Sequence, residues 1–401
     1  MTPKPSQRLS RLPPYVFAEL ERLQEEYRRL GVDFISLSIG DPDLPPPESL
    51  VEDIVKALRE PYSHNYSTSE GESYFREAVA QWYKRRYGVD LDPDSEVCVL
   101  IGSKEGLANI GRAYLDVGDT ALTPNPGYPV YTQGATILSD AQAVEYNLYE
   151  DRGFQPSFED LCAGQRTKLL FLNYPSNPTG AVATERTLGD AVEFARRNNL
   201  LLCYDNAYGE LVYNAQMCLS PLQFADGREC TVEFNSCSKM FSVTGYRVGF
   251  AVGCAEAIGA LKKVKSQIDS GVPKFIQKAC ADALLRYFEG EYASYLERCR
   301  EVYRRRLEAL SVGLGRLGFR VSMPQATFYL WLHVGYDGSQ LARKLLEVGV
   351  VATPGEAFGS NGKNYVRFAV TQPEHRVAEA VERIATLGLE PEREASKPPP
   401  I

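Results

Sequence analysis

Lys239, Arg247, Asp205 and Asn177 are the side chains whose types and order could together carry chemistry. A lysine amine condenses with an aldehyde to give an imine. Arginine brings a permanent charge and a two-pronged fork to a phosphate. An aspartate beside a ring nitrogen raises that nitrogen's proton affinity, and an asparagine amide donates to a ring oxygen. Each of the four stands at or near the end of an apolar run. Asp205 closes Leu200-Leu201-Leu202-Cys203-Tyr204, and Lys239 follows Asn235-Ser236-Cys237-Ser238. Blander readings stay open for each alone: a helix N-cap for Asp205, a salt bridge for Arg247, an ordinary turn residue for Asn177. Taken together in this order, they fit a phosphorylated pyridine ring bearing an aldehyde, which is pyridoxal 5'-phosphate (PLP).

Two further stretches support a site of that kind. The apolar run 97–101 leads into Gly102-Ser103-Lys104 and then a helical pattern. A glycine turn at a helix start presents free N–H groups and the positive end of the dipole, which suits a phosphate. Arg367 lies inside the apolar stretch Tyr365-Val366-Arg367-Phe368, and a guanidinium placed there needs an anionic partner. A substrate carboxylate and a structural salt bridge would both serve.

The order and local context resemble the class I/II aminotransferases, the fold-type I PLP enzymes, from about residue 12 to about residue 384. The resemblance rests on Ser38-Ile39-Gly40-Asp41-Pro42, on Asn173-Tyr174-Pro175-Ser176-Asn177-Pro178-Thr179-Gly180, and on Ser236-Cys237-Ser238-Lys239 followed by Gly245-Tyr246-Arg247-Val248-Gly249. Leu12-Pro13-Pro14-Tyr15, Ile101-Gly102-Ser103-Lys104-Glu105-Gly106 and Pro126-Gly127-Tyr128-Pro129-Val130-Tyr131 are similar to the LL-diaminopimelate aminotransferase branch. That branch commonly carries Ser-Leu-Ser-Lys and then Asn-Met-Thr-Gly-Trp-Arg. This chain has Cys237 in the first stretch and Phe241-Ser242-Val243-Thr244-Gly245-Tyr246-Arg247 in the second.

The resemblance implies a role for each matched residue. Lys239 holds PLP as a Schiff base and is the catalytic residue, acting as base and then acid. Gly102, Ser103, Lys104, Ser236, Ser238 and Arg247 belong to the cofactor set, chiefly around the phosphate. Asp205 meets the ring nitrogen, Asn177 and Tyr208 meet the ring oxygen, and Tyr128 stacks on the ring face. Gly40 and Arg367 receive the substrate α-carboxylate. Tyr66 reaches the phosphate of a neighbouring subunit, which makes the catalytic unit a homodimer. The implied activity moves an amino group between an L-amino acid and a 2-oxo acid. The same shell also serves amino-acid oxidases, β/γ-eliminating or replacing enzymes and carbon–carbon bond formers, and that alternative stays open.

The elements that must position these residues follow from hydrophobic patterning. Residues 14–30 read as an amphipathic helix with Val16, Leu20, Leu23, Tyr27 and Leu30 on one stripe. A short strand at 34–39 precedes a proline-rich crossing segment, 42–47. Apolar strands at 97–101, 120–123, 168–172, 200–204, 232–235 and 248–252 then alternate with helical patterns. Continuous apolar runs of this kind predict an α/β fold, with a mostly parallel, seven-stranded sheet covered by helices on both faces. Beyond about residue 292 come a long helix, strands near Arg320 and Tyr329, a strand at 365–370 and a last helix. The expected division is an arm and small-domain segment (1–47), a large PLP-binding domain (48–291), a small α/β domain formed with both termini (292–390) and a disordered tail (391–401).

Composition narrows the function classes. The chain has 401 residues, 44% of them apolar, and a net charge of −8 with both signs interspersed, which disfavours a nucleic-acid or anionic-membrane surface. Arg304-Arg305-Arg306 lies beside Glu301 and Glu308 and reads as a solvated helix face. Nine cysteines without a Cys-x-x-Cys pair predict reduced thiols and a cytoplasmic protein. Three scattered histidines lack metal-ligand spacing. Gly313-Leu314-Gly315-Arg316-Leu317-Gly318 matches a dinucleotide-turn pattern, but it follows a helix and precedes a strand, the reverse of what that turn needs. It predicts a glycine-rich helix end.

Overall fold

Seven strands build the large sheet, in the order Val97–Leu100, Gly249–Gly253, Thr231–Ser236, Leu201–Asp205, Thr167–Asn173, Thr120–Asn125 and Gln142–Asn147. The computed structural model describes residues 2–14, 16–213 and 218–389. Tyr15 of the Leu12–Tyr15 motif and the tail expected at 391–401 lie outside these residues.

Six of the strands point one way. Gly249–Gly253 alone runs antiparallel to both neighbours. Successive side chains alternate between the two faces, as a pleated strand requires. Leu169, Phe171, Leu201, Cys203, Val232 and Phe234 pack toward the helices Ser103–Tyr114 and Ala255–Lys265. Leu170, Leu172, Leu202 and Tyr204 pack toward the helix Glu185–Arg197. Burial on both faces explains why these strands read as unbroken apolar runs. The edge strand Gln142–Asn147 buries only Tyr146, so no apolar run announces it.

The strand directions set where the site can form. Asn173 pairs with Asp205, Ser236 pairs with Gly249, and Gly249 pairs in turn with Leu100. The carboxyl ends of the parallel strands therefore share one edge with the amino end of the reversed strand. Open α/β sheets bind ligands at that edge.

A smaller sheet pairs Thr353–Pro354, Tyr365–Ala369 and Tyr329–His333 antiparallel. Ile35–Ser36 runs parallel to Val350–Val351, and the Ala369 N–H donates to the Leu37 carbonyl at 2.7 Å. The segment carrying Gly40 is thus stitched to strands near the far end of the chain. The helices Gly290–Arg316, Gly338–Glu347 and Glu374–Ala385 flank this part.

Two sequence expectations need correction, and a third, the glycine-rich helix end, holds. No strand forms around Arg320: Arg320, Ser322 and Met323 are exposed, and Pro324 lacks the N–H that a ladder would use. The first long helix spans Val16–Arg29; Leu30 lies past its end and is 68% exposed, turned out where Gly31 takes a φ of +69°. That helix instead buries Gln24, whose amide donates to the Ser36 and Ser38 hydroxyls at 3.0 Å each. The glycine triplet at 313–318 is a helix end, with Gly318 at φ +94°. A Cβ on Gly313 would meet Val381 at 2.5 Å, so this glycine allows close helix packing.

Among the described residues no helix is long and apolar enough to cross a membrane, and no group of three or more His, Cys, Asp or Glu could hold a metal ion. All nine cysteines are free thiols.

Candidate active site

A cleft of about 490 Å³ opens at the shared sheet edge, lined by Lys239, Asp205, Asn177, Arg247 and Arg367 together. Ser103, Lys104, Tyr128, Tyr208, Ser236, Ser238 and Gly40 also line it. Gly102 stands one residue back, in the turn before Ser103. Tyr66 does not line this chain's cleft and is 88% exposed.

Lys239 sits on the short helix Cys237–Met240, directly after the strand Thr231–Ser236. Ser236 caps that helix by accepting from the Ser238 N–H at 3.3 Å. The Lys239 Nζ donates to the Gly40 carbonyl at 2.8 Å. Burial lowers its pKa to about 8; Asp41 opposes the shift, and the positive charges of Arg247 and Arg367 add to it. An amine with that value is far easier to deprotonate than an exposed lysine.

Asp205 ends its strand and is 5% exposed. Burial raises its carboxyl to about 6, against hydrogen bonds from the Tyr131 hydroxyl (2.6 Å to Oδ2) and the Ala207 N–H (3.3 Å to Oδ1). Asn173 fixes the neighbouring backbone: its amide donates to the Asp205 carbonyl at 2.9 Å, while its Oδ1 accepts from the Asn177 N–H at 2.8 Å.

The phosphate side is built by close approach. Gly102 has φ +75°, and a Cβ on it would lie 2.3 Å from an Arg247 guanidinium nitrogen. Glycine is required there twice, by conformation and by space. Arg247, itself at φ +52°, donates to the Thr244 carbonyl at 2.8 Å. The buried Ser238 hydroxyl has no hydrogen-bond partner among the described residues. A buried hydroxyl in that state calls for a ligand atom.

At the opposite end Arg367 is 1% exposed. It donates to the Asn177 Oδ1 at 2.7 Å and to the Ser38 carbonyl at 2.6 Å. Its guanidinium lies 4.2 Å from the Tyr329 ring centre and 4.7 Å from that of Phe358. Tyr329 also fills the space beside Gly40, where a Cβ would fall 1.8 Å from its hydroxyl oxygen.

Residues that fit pyridoxal phosphate are therefore in place. A cradle lies beside Arg247, a hydroxyl waits at Ser238, a carboxylate stands at the strand end, and an amine of lowered pKa faces them across the cleft. Sequence reasoning missed Tyr131, Asn173 and Tyr329. Tyr131 carried a weak signal, three residues after Tyr128 and hence on the same side of a helical turn. Tyr329 carried none among twenty-four tyrosines.

A doubly covered α/β sheet with this cleft at its carboxyl edge defines a fold-type I PLP-dependent transferase. The chain belongs to the aminotransferase class I and II family, whose model matches residues 32–384. It is 44% identical over 384 residues to the LL-diaminopimelate aminotransferase of Moorella thermoacetica, covering 94% of this chain and 97% of that one. The LL-diaminopimelate aminotransferase of Aquifex aeolicus is 41% identical over 389 residues, with coverage of 96% and 99%. Among solved structures, substrate-bound BacF from Bacillus subtilis superimposes with a TM-score of 0.92 at 35% identity, covering 98% of this chain and 100% of that one. Thermus thermophilus aspartate aminotransferase with maleate gives 0.89 at 31% identity, with coverage of 96% and 100%. This chain is thus a PLP-dependent aminotransferase by family.

Proposed function

We propose that the cleft transfers the amino group of LL-diaminopimelate, or an L-amino acid of similar form, to a 2-oxo acid, with Lys239 as the catalytic residue. One observation carries the reading: a lysine of lowered pKa and the carboxylate Asp205 line one cleft, with Arg247 on one side and Arg367 on the other. The diaminopimelate preference is supported by the relatives named above.

When bound, pyridoxal phosphate supplies an aldehyde that takes up the amino group and a ring that accepts the α-carbon's electron pair. Lys239 would hold it covalently, and Gly102, Ser103, Lys104, Ser236, Ser238 and Arg247 would hold its phosphate. Asp205 would face its ring nitrogen as a counter-charge, which also restores an ionised carboxylate. Asn177 and Tyr208 would donate to its ring oxygen, and Tyr128 would lie against its face.

The chain's own part is orientation and proton movement. Arg367 grips the substrate carboxylate with a geometry fixed by Asn177 and Ser38. The Gly40 carbonyl holds the Lys239 amine within the cleft, and that amine would take a proton from the substrate α-carbon and deliver it elsewhere.

The working unit is a homodimer, with Tyr66 contributed across the interface. Val51, Val55, Leu58, Tyr62 and Tyr66 are all exposed, and an apolar row of that kind suits a partner surface. The chain acts in the cytoplasm, in keeping with its nine free thiols. Its parts are an N-terminal arm and small-domain segment (1–47), a large cofactor domain (48–291) and a small domain (292–390).

The decisive experiment is single-turnover absorbance of purified enzyme with LL-diaminopimelate and no acceptor. Stoichiometric conversion of PLP to pyridoxamine phosphate is expected, with no oxygen uptake. Release of a side-chain group or consumption of oxygen would overturn the reading.

A further inference from the structure

We infer that Tyr329 is a positioning residue that orients the Tyr208 proton toward the cofactor's ring oxygen and ties that proton to the carboxylate site at Arg367. The inference rests on the reading of Tyr208 given above.

The two hydroxyl oxygens lie 2.9 Å apart, both buried, and either could donate. A phenol carries one proton. If Tyr208 spends its proton on Tyr329, it has none for a ring oxygen. If Tyr329 donates instead, Tyr208 accepts and its own proton is free to point into the cleft. When Tyr329 supplies the bond between them, Tyr208 is left to donate to the ring oxygen, and a phenol that accepts such a bond is itself the stronger donor.

Tyr329 is held for that task from three sides. The Arg367 guanidinium lies over its ring at 4.2 Å. Gly40 leaves room for its hydroxyl where any Cβ would collide. Two residues upstream, the fully buried Thr327 adopts φ +70°, a conformation that β-branched residues avoid. Its Oγ1 accepts from the Tyr329 N–H at 3.1 Å, its own N–H donates to the Leu211 carbonyl at 2.9 Å, and its carbonyl accepts from the Tyr213 hydroxyl. Such strain persists where the surroundings over-determine it, and it clusters at working sites. Here it aims one ring between a guanidinium and a second phenol. Asn177 already links Arg367 to the ring-oxygen side through its amide; Tyr329 is a separate link, through a hydroxyl.

The test uses the holoenzyme and follows the visible absorbance of bound PLP as pH is varied. A donor on the ring oxygen stabilises its anion and so lowers the pH of the absorbance change. Tyr208→Phe should raise that pH by roughly half to one unit, the size of one net hydrogen bond, and Tyr329→Phe should raise it by a smaller amount. The double variant should show no more than Tyr208→Phe alone. Tyr329→Phe keeps the ring over Arg367, so PLP stoichiometry and the Kd for a non-reactive dicarboxylate should stay within about twofold of wild type. A shift in Tyr208→Phe with none in Tyr329→Phe overturns the inference and leaves the reading of Tyr208 intact. No shift in either variant overturns that reading, and the inference with it.

Discussion

The Tyr131 hydroxyl donates to the buried Oδ2 of Asp205 at 2.6 Å and opposes the burial that lifts this carboxyl to about 6. Removing the donor in Tyr131→Phe takes away a bond that favours the ionised form. The carboxyl of the cofactor-free protein should then titrate roughly one unit or more higher, since a hydrogen bond to a charge contributes about 1.5–3 kcal/mol. Carbon-13 NMR of labelled aspartate, with Asp205→Asn as the blank, measures it; an unmoved or lowered titration refutes the assignment.

Lys239 makes cofactor-free stability depend on pH with a definite sign. Its folded pKa is lowered from 10.5 to about 8, so between those values the unfolded chain binds more protons than the native one. The cost of burying a charged amine is full below about pH 8 and is relieved as pH rises toward 10.5. Urea unfolding of wild type relative to Lys239→Met should therefore show a difference that shrinks as pH rises, by about 1.4 kcal/mol per unit at most. A flat difference across that window contradicts the burial argument.

Gly102→Ala should hit the phosphate side without touching Lys239. The new methyl would occupy the space of an Arg247 nitrogen and strain a residue at φ +75°. PLP affinity should fall about tenfold to a hundredfold, the size expected when a charge-assisted contact is displaced. Equilibrium dialysis or fluorescence titration reads this, and wild-type affinity would show that the turn yields elsewhere.

Arg367→Lys loses the planar fork that contacts Asn177 and Ser38. For amino acids kcat/KM should drop about a hundredfold, the scale of losing a buried bidentate contact. Amines that lack the carboxylate should be affected several-fold less. Equal losses for both classes would place Arg367 outside substrate binding.

A mixed dimer tests Tyr66. Lys239→Ala and Tyr66→Ala chains would each lack one half of every site, but their heterodimer would hold one complete site. Mixing them under exchange conditions should recover up to half of the activity per heterodimer that the wild-type dimer shows. Recovery of none, with exchange proven by native mass spectrometry, would remove Tyr66 from the partner's site.

Much of the sheet was legible in the sequence because its strands are covered on both sides. Leu201–Asp205 and Thr231–Ser236 are buried throughout, so composition alone sets them apart. Gln142–Asn147 was not legible, since an edge strand wetted on one face carries no apolar run. The candidate site was readable where a role demands a particular residue type, as with Lys239, Asp205 and Arg367. Tyr131 and Tyr329 escaped because their roles come from tertiary placement. One needs a helical turn that brings it under Asp205, and the other needs a strained threonine upstream. Local sequence hints weakly at the first and not at all at the second.

The pairing of Ile35–Ser36 with Val350–Val351 has a consequence for the order in which the chain is made. The carbonyl that steadies the reactive amine leaves the ribosome early, yet the strand that pins it emerges some three hundred residues later, together with the guanidinium at 367. Pinned carbonyl, amine and substrate clamp can therefore come together only after the small sheet has been made.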